Sequence, residues 1–124
     1  MFGCLFDVNK VGFRIAILNN AMCPRFHVDK VPCRLVTTYS GLGTEWLPNQ
    51  FADRSKLGLG NNGAEDSASG IYIQASNIQR INTGDVALLK GEAWPDNEGG
   101  GLIHRSPAIS HDNPRILMTL DFVN

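Results

Sequence analysis

Apolar and polar residues alternate with a period of two along several short stretches of this chain. Val11, Phe13, Ile15 and Ile17 alternate with Gly12, Arg14 and Ala16, the pattern of a β-strand with two different sides. The same reading predicts strands over residues 25–29, 33–39, 71–73, 78–81, 86–89, 102–104 and 115–122. No stretch holds amphipathic helical spacing over three turns, so helices are expected to be few and short. The 13 Gly and 6 Pro are spread between the apolar runs, where they break strands and form turns. Residues 58–70, rich in Gly, Asn and Ser, read as a long mobile loop. Eight short strands in 124 residues predict an all-β (mainly β) fold. The expected architecture is a double-stranded β-helix, a jelly-roll or cupin-like barrel with few short helices, forming one domain over 1–124.

The segment 115–122 adds a demand. Ile116, Met118, Leu120 and Phe122 share one face, and Arg115, Leu117, Thr119 and Asp121 share the other. If the mixed face lines a pocket, the apolar face lies outside and needs a covering layer or a partner subunit, which makes a homo-oligomer an expectation.

Composition narrows the class. The chain is 43% hydrophobic and 19% charged, as in an ordinary globular protein. Its longest apolar runs are four residues, 15–18 and 86–89, against about 20 for a spanning helix. No membrane association is expected. The first ten residues carry Asp7 and lack the basic start and apolar centre of a signal peptide, which points to the cytoplasm. A net charge of −1 and the lack of a basic block argue against nucleic acid as a partner. Cys4, Cys23 and Cys33 have no zinc-knuckle spacing and are expected to be free thiols, with Cys23 and Cys33 near the site but not bound to its ion.

The strongest chemical signal is Phe26-His27-Val28-Asp29. Residues i and i+2 of a strand project from the same face about 6.5 Å apart, so an imidazole and a carboxylate can close on one metal ion. Lys30-Val31-Pro32 ends the strand there. His104 follows Gly99-Gly100-Gly101 and supplies a third ligand. Two His and one carboxylate form the facial set of non-haem iron(II) oxygenases, which leaves coordination positions for a co-substrate and dioxygen. Arg115 lies eleven residues after His104, beyond a turn containing Asp112-Asn113-Pro114. There it can hold the distal carboxylate of 2-oxoglutarate. His111 stands in a polar turn and is expected to be solvated. Gly41-Leu42-Gly43 and Gly84-Asp85 fit tight turns, and Thr44-Glu45-Trp46 fits a pocket mouth. Lys90 and Glu92 read as solvated charges beside Trp94. Arg105 is placed to pair with Asp29 or Glu45 in support of the ligands.

Several segments carry a family resemblance. They are Cys23-Pro24-Arg25-Phe26-His27-Val28-Asp29, Arg34-Leu35-Val36-Thr37-Thr38-Tyr39, Gly41-Leu42-Gly43-Thr44-Glu45-Trp46-Leu47, Gly84-Asp85-Val86-Ala87-Leu88-Leu89-Lys90-Gly91-Glu92 and His104-Arg105-Ser106-Pro107. Together they resemble the bacterial family called domain of unknown function 1826, which has no established activity. Its members tend to be longer at the amino terminus, so the resemblance implies a chain that lacks an amino-terminal segment. Some members are encoded beside zinc-responsive genes, a context for a metal role. The segments are more distantly similar to prolyl-hydroxylase-like iron(II)/2-oxoglutarate dioxygenases. That resemblance implies His27, Asp29 and His104 as iron ligands and Arg115 as the 2-oxoglutarate anchor. It also implies a second co-substrate contact from Tyr39 or Arg34. An odd spacing of five prevents those two from sharing a strand face, and Tyr39, in parity with Thr37 and Leu35, is the expected contact.

The first functional expectation is therefore an oxygenase using iron(II) and 2-oxoglutarate on an unidentified small-molecule or peptide substrate. The alternative is a non-catalytic zinc-binding protein for metal sensing or storage, built on the same three ligands. A zinc hydrolase ranks last, because the motif offers no further carboxylate as a base.

Overall fold

The structure is a computed structural model, and it describes residues 10–20, 23–109 and 113–123. The strands are β1 (Lys10–Leu18), β2 (Cys33–Ser40), β3 (Glu45–Leu47), β4 (Gln79–Arg80), β5 (Val86–Lys90), β6 (Ile103–Arg105) and β7 (Arg115–Val123). They form two antiparallel sheets, in the orders β1-β7-β2-β5 and β4-β3-β6. A lone antiparallel bridge joins His27 to His104 of β6. With His27 counted as the second member in chain order, first pairs with last, second with second-last, and so on inward to β3 with β4.

The chain is mainly β, as the period-two pattern implies, with only short helices. Among the described residues no closed barrel forms: β1 and β5 remain the edges of the larger sheet. The strand expected over 25–29 is reduced to the His27 bridge, because the neighbouring backbone is engaged elsewhere. Phe26 N–H donates to the Asp66 carboxylate at 2.9 Å, and the Asp29 carbonyl accepts from Glu92 N–H at 2.9 Å. Residues 71–73 are also not a strand. Ile71 is buried and its carbonyl accepts from Asp53 N–H, while Ile73 is exposed. Within the expected 58–70 loop lie a 3-10 turn, Gly58–Asn61, and the short helix α1 (Asp66–Ser69).

Two apolar clusters flank the sheets. Phe26, Leu47, Ile71 and Ile103 pack on the outer side of the smaller sheet, with Leu57, Tyr72 and Ile78 from the segment that covers it. Cys33, Leu35 and Phe122 pack on the outer side of the larger sheet, with Trp94 over one end. Between the sheets, polar side chains share a cavity with the apolar Val36, Leu89 and Leu117. Among the described residues no helix is long and apolar enough to cross a membrane.

Candidate metal centre

The His27–His104 bridge builds the site. His27 N–H donates to the His104 carbonyl and His104 N–H to the His27 carbonyl, each at 3.0 Å. Residues paired in this way project to the same side of a ladder, and the two imidazole centroids lie 4.5 Å apart. Asp29 follows two residues later. Its Oδ1 is 3.8 Å from His27 Nε2 and its Oδ2 is 3.4 Å from His104 Nε2. One ligand atom from each of the three residues lies within 4.8 Å of the others.

The donor set fits a cation. In each ring Nδ1 is 2.9 Å from a backbone carbonyl two residues back, Arg25 for His27 and Leu102 for His104. A carbonyl only accepts, so Nδ1 carries the proton and a neutral ring turns the Nε2 lone pair toward Asp29. Asp29 Oδ2 is buried without a hydrogen-bond partner. Electron pairs facing electron pairs in a buried place need a positive charge among them. Burial lowers the His27 pKa below its ordinary value, with the neighbouring His104 adding to the effect against the Arg25 carbonyl bond. Burial alone would raise the Asp29 carboxyl, but the neighbouring His104, Arg34 and His27 outweigh it and hold the group below its ordinary value. Both shifts favour the ligating forms at neutral pH.

Loop contacts fix these ligands. Glu92 accepts from Gly99 N–H at 2.9 Å and also from Gly101 N–H, so it braces the turn that leads into β6. Gly91 is pressed against the Asp29 loop, where a Cβ would collide with the Val31 carbonyl and approach the Asp29 carbonyl at 2.9 Å. Arg105 pairs with Glu45, one of its two expected partners, and with Asp66, both at 2.8 Å.

The site opens into a cavity of about 290 Å³ between the sheets, lined by His27 and His104 with Arg34, Arg115, Thr119 and Asp121 among others. Arg115 is 1% exposed. It donates to Thr44 Oγ1 at 2.6 Å and Thr38 Oγ1 at 3.1 Å, and its Nε has no partner. Among the described residues no carboxylate pairs with it. Burial pulls its pKa down to about 10, which leaves it charged at neutral pH.

Tyr39 is not brought to the site. It lies where the β2–β7 register shifts, is 58% exposed, and donates its hydroxyl to Met118 Sδ at 3.5 Å on the outer face. Arg34 is brought there instead. The register sets Arg34 opposite Asp121; their side chains form a two-pronged ion pair, and Arg34 Nη1 reaches Asp29 Oδ1 at 3.4 Å. Asp121 already shared a face with Arg115 in the sequence pattern, which was the available signal for this partner. Thr44, read at a pocket mouth, lines the cavity, whereas Thr38 carried no comparable signal. Cys23 lines the cavity, whereas Cys33 is buried in the outer cluster, away from it. Both are free thiols; Cys4 and His111 lie outside the described residues.

A family model described as "Protein of unknown function (DUF1826)" matches residues 1–121. No curated protein matches the chain, and no solved structure matches it.

Proposed function

This chain belongs to the DUF1826 family of proteins of unknown function, and we propose that it is a metal-dependent oxygenase using iron(II) and 2-oxoglutarate on a small-molecule or peptide substrate. The observation that carries the reading is the pairing of two features in one cavity. One is a His27, Asp29, His104 cluster whose ligand atoms lie within 4.8 Å of one another, Asp29 Oδ2 buried among them. The other is a buried Arg115 whose side chain is held by Thr38 and Thr44, with no carboxylate paired to it among the described residues. The fold supports it as well. The nested pairing of first with last, through to β3 with β4, is what results when a long hairpin is rolled into the two sheets of a jelly-roll, the architecture of a double-stranded β-helix.

Bound iron(II) would supply activation of dioxygen, with dioxygen as the oxidant and 2-oxoglutarate as the co-substrate oxidised alongside the substrate. The chain's own residues bind and orient. His27, Asp29 and His104 would hold the ion as three protein ligands, with Nδ1 bonds to backbone carbonyls locking both ring tautomers. Arg34, tied to Asp121, steadies Asp29 Oδ1 and leaves Oδ2 for the ion. Arg115, held by Thr38 and Thr44, would take the distal carboxylate, which exchanges a buried unpaired charge for a charge-assisted pair. A zinc-binding role without catalysis uses the same three ligands but leaves the buried Arg115 without a purpose.

The test is calorimetric titration of 2-oxoglutarate into manganese-loaded or anaerobic iron-loaded protein. Binding is expected for the wild type and not for Arg115→Ala, with metal affinity unchanged. Truncating one side of such a pair costs about 2–5 kcal/mol, or roughly 30-fold to several-thousand-fold in affinity. Failure of the metal-loaded wild type to bind 2-oxoglutarate ends the oxygenase reading.

A further inference from the structure

Among the described residues, the outer face of the larger sheet is apolar and covered only at one end. The register aligns Phe13, Leu120, Leu35 and Leu88 in one row and Ile15, Met118, Thr37 and Val86 in the next, with Ile17 beside Ile116 beyond them. Phe13 is 61% exposed, Ile15 58%, Ile17 69% and Val86 65%, and Tyr39 and Leu88 join them. These six side chains present about 700 Å² on a face about 14 Å across its four strands, more than a soluble monomer ordinarily leaves uncovered. Trp94 and its neighbours cover only the end near Cys33 and Phe122.

We propose that this face is the interface of a two-fold dimer of this chain, the two larger sheets packing face to face. Two observations select a second copy. First, each partner of a stable interface contributes roughly 800 Å², and the face supplies nearly that area. Second, it is free of charge: among its described residues only Lys90, at one end and lying over Trp94, is charged. In a two-fold dimer the patch meets itself, so a charge near the axis would face its own copy and a charge elsewhere would need a counter-charge on the same patch; a charge-free face avoids both. The arginines of the larger sheet, Arg14, Arg34 and Arg115, line the cavity on the opposite side. Side chains stand on a sheet's two faces in alternation, so the dimer face is the one turned away from these arginines. The inference therefore does not rest on the metal reading.

Sedimentation velocity of the full chain at about 5–100 µM, with Ile15→Glu and Val86→Lys as variants on the two edge strands, is the test. The wild type is expected to be a dimer. Either substitution should make it a monomer with an unchanged circular dichroism spectrum and manganese affinity within about twofold of wild type. A wild-type monomer at the highest concentration overturns the proposal, as does a dimer that survives both substitutions. A wild-type monomer that binds a hydrophobic dye only after residues 1–9 are deleted also overturns it, and gives the face to the chain's own first residues.

Discussion

A guanidinium that is 1% exposed and bonded to two threonine hydroxyls, with no carboxylate paired to it among the described residues, lowers the stability of the fold that holds it. Its folded pKa, about 10, lies below the unfolded value. The unfolded chain therefore binds the proton more tightly, and the cost is present at neutral pH and relieved as pH rises through about 10. Arg115→Met should then stabilise the metal-free protein by about 1–2 kcal/mol, or roughly 3–8 °C in Tm, while abolishing 2-oxoglutarate binding. Thermal unfolding beside the calorimetric titration checks both; a large loss of stability would make Arg115 structural. In the wild type, 2-oxoglutarate affinity should stay level from neutral pH upward and fall as the pH approaches about 10, where the guanidinium loses its charge. Arg34 plays a different part. Because it holds Asp29 from the Asp121 side, Arg34→Met should weaken manganese binding by roughly 10–100-fold, and Arg34→Lys should restore part of it. Equal affinity in all three forms would remove Arg34 from the support of the ligands.

The elements that present the ligands are short, and that sets what could be read from the sequence. Long alternating runs gave β1, β2 and β7 almost to their ends, since nine or eight residues of alternation have few other readings. The three residues of β3 are too few for a period and were legible only as a pocket mouth. The His-x-Asp spacing pointed to the right pair of side chains even though no strand carries it: an extended backbone held by one bridge and two loop hydrogen bonds aims them as a strand would. Strand register was the part that sequence alone could not supply. The parity of β2 separates Arg34 from Tyr39, but which parity faces the cavity depends on its pairing with Asp121 of β7, a contact 87 positions away. The two short helical turns within 58–70 were not legible because their placement comes from tertiary bonds. Asp66 of α1 is buried and ties Phe26 N–H to Arg105. Gly91 tests whether loop placement controls the ligands, since its Cα lies against the Asp29 loop. Gly91→Ala should preserve the circular dichroism spectrum and weaken manganese binding on the order of tenfold. Unchanged affinity would show that the loop yields without moving Asp29.

At the scale of the whole molecule, the two sheets divide the work by face. Their outer sides carry the apolar clusters, and their inner sides carry His27, Asp29, His104, Arg34 and Arg115 around one cavity. A polar interior of this kind is costly to fold around, because each buried lone pair or charge must find a partner. Asp29 Oδ2 and Arg115 Nε have no hydrogen-bond partner among the described residues. A cation at the first and an anion at the second would satisfy both, so ligand binding should raise stability as well as enable chemistry. The most direct measurement of this account is the stoichiometry of divalent metal binding to protein purified without a metal-chelating tag, for the wild type and for alanine at His27, Asp29 and His104 in turn. The account predicts one ion per chain and a severe loss of affinity in each variant. Unchanged affinity in any two of the three would contradict it.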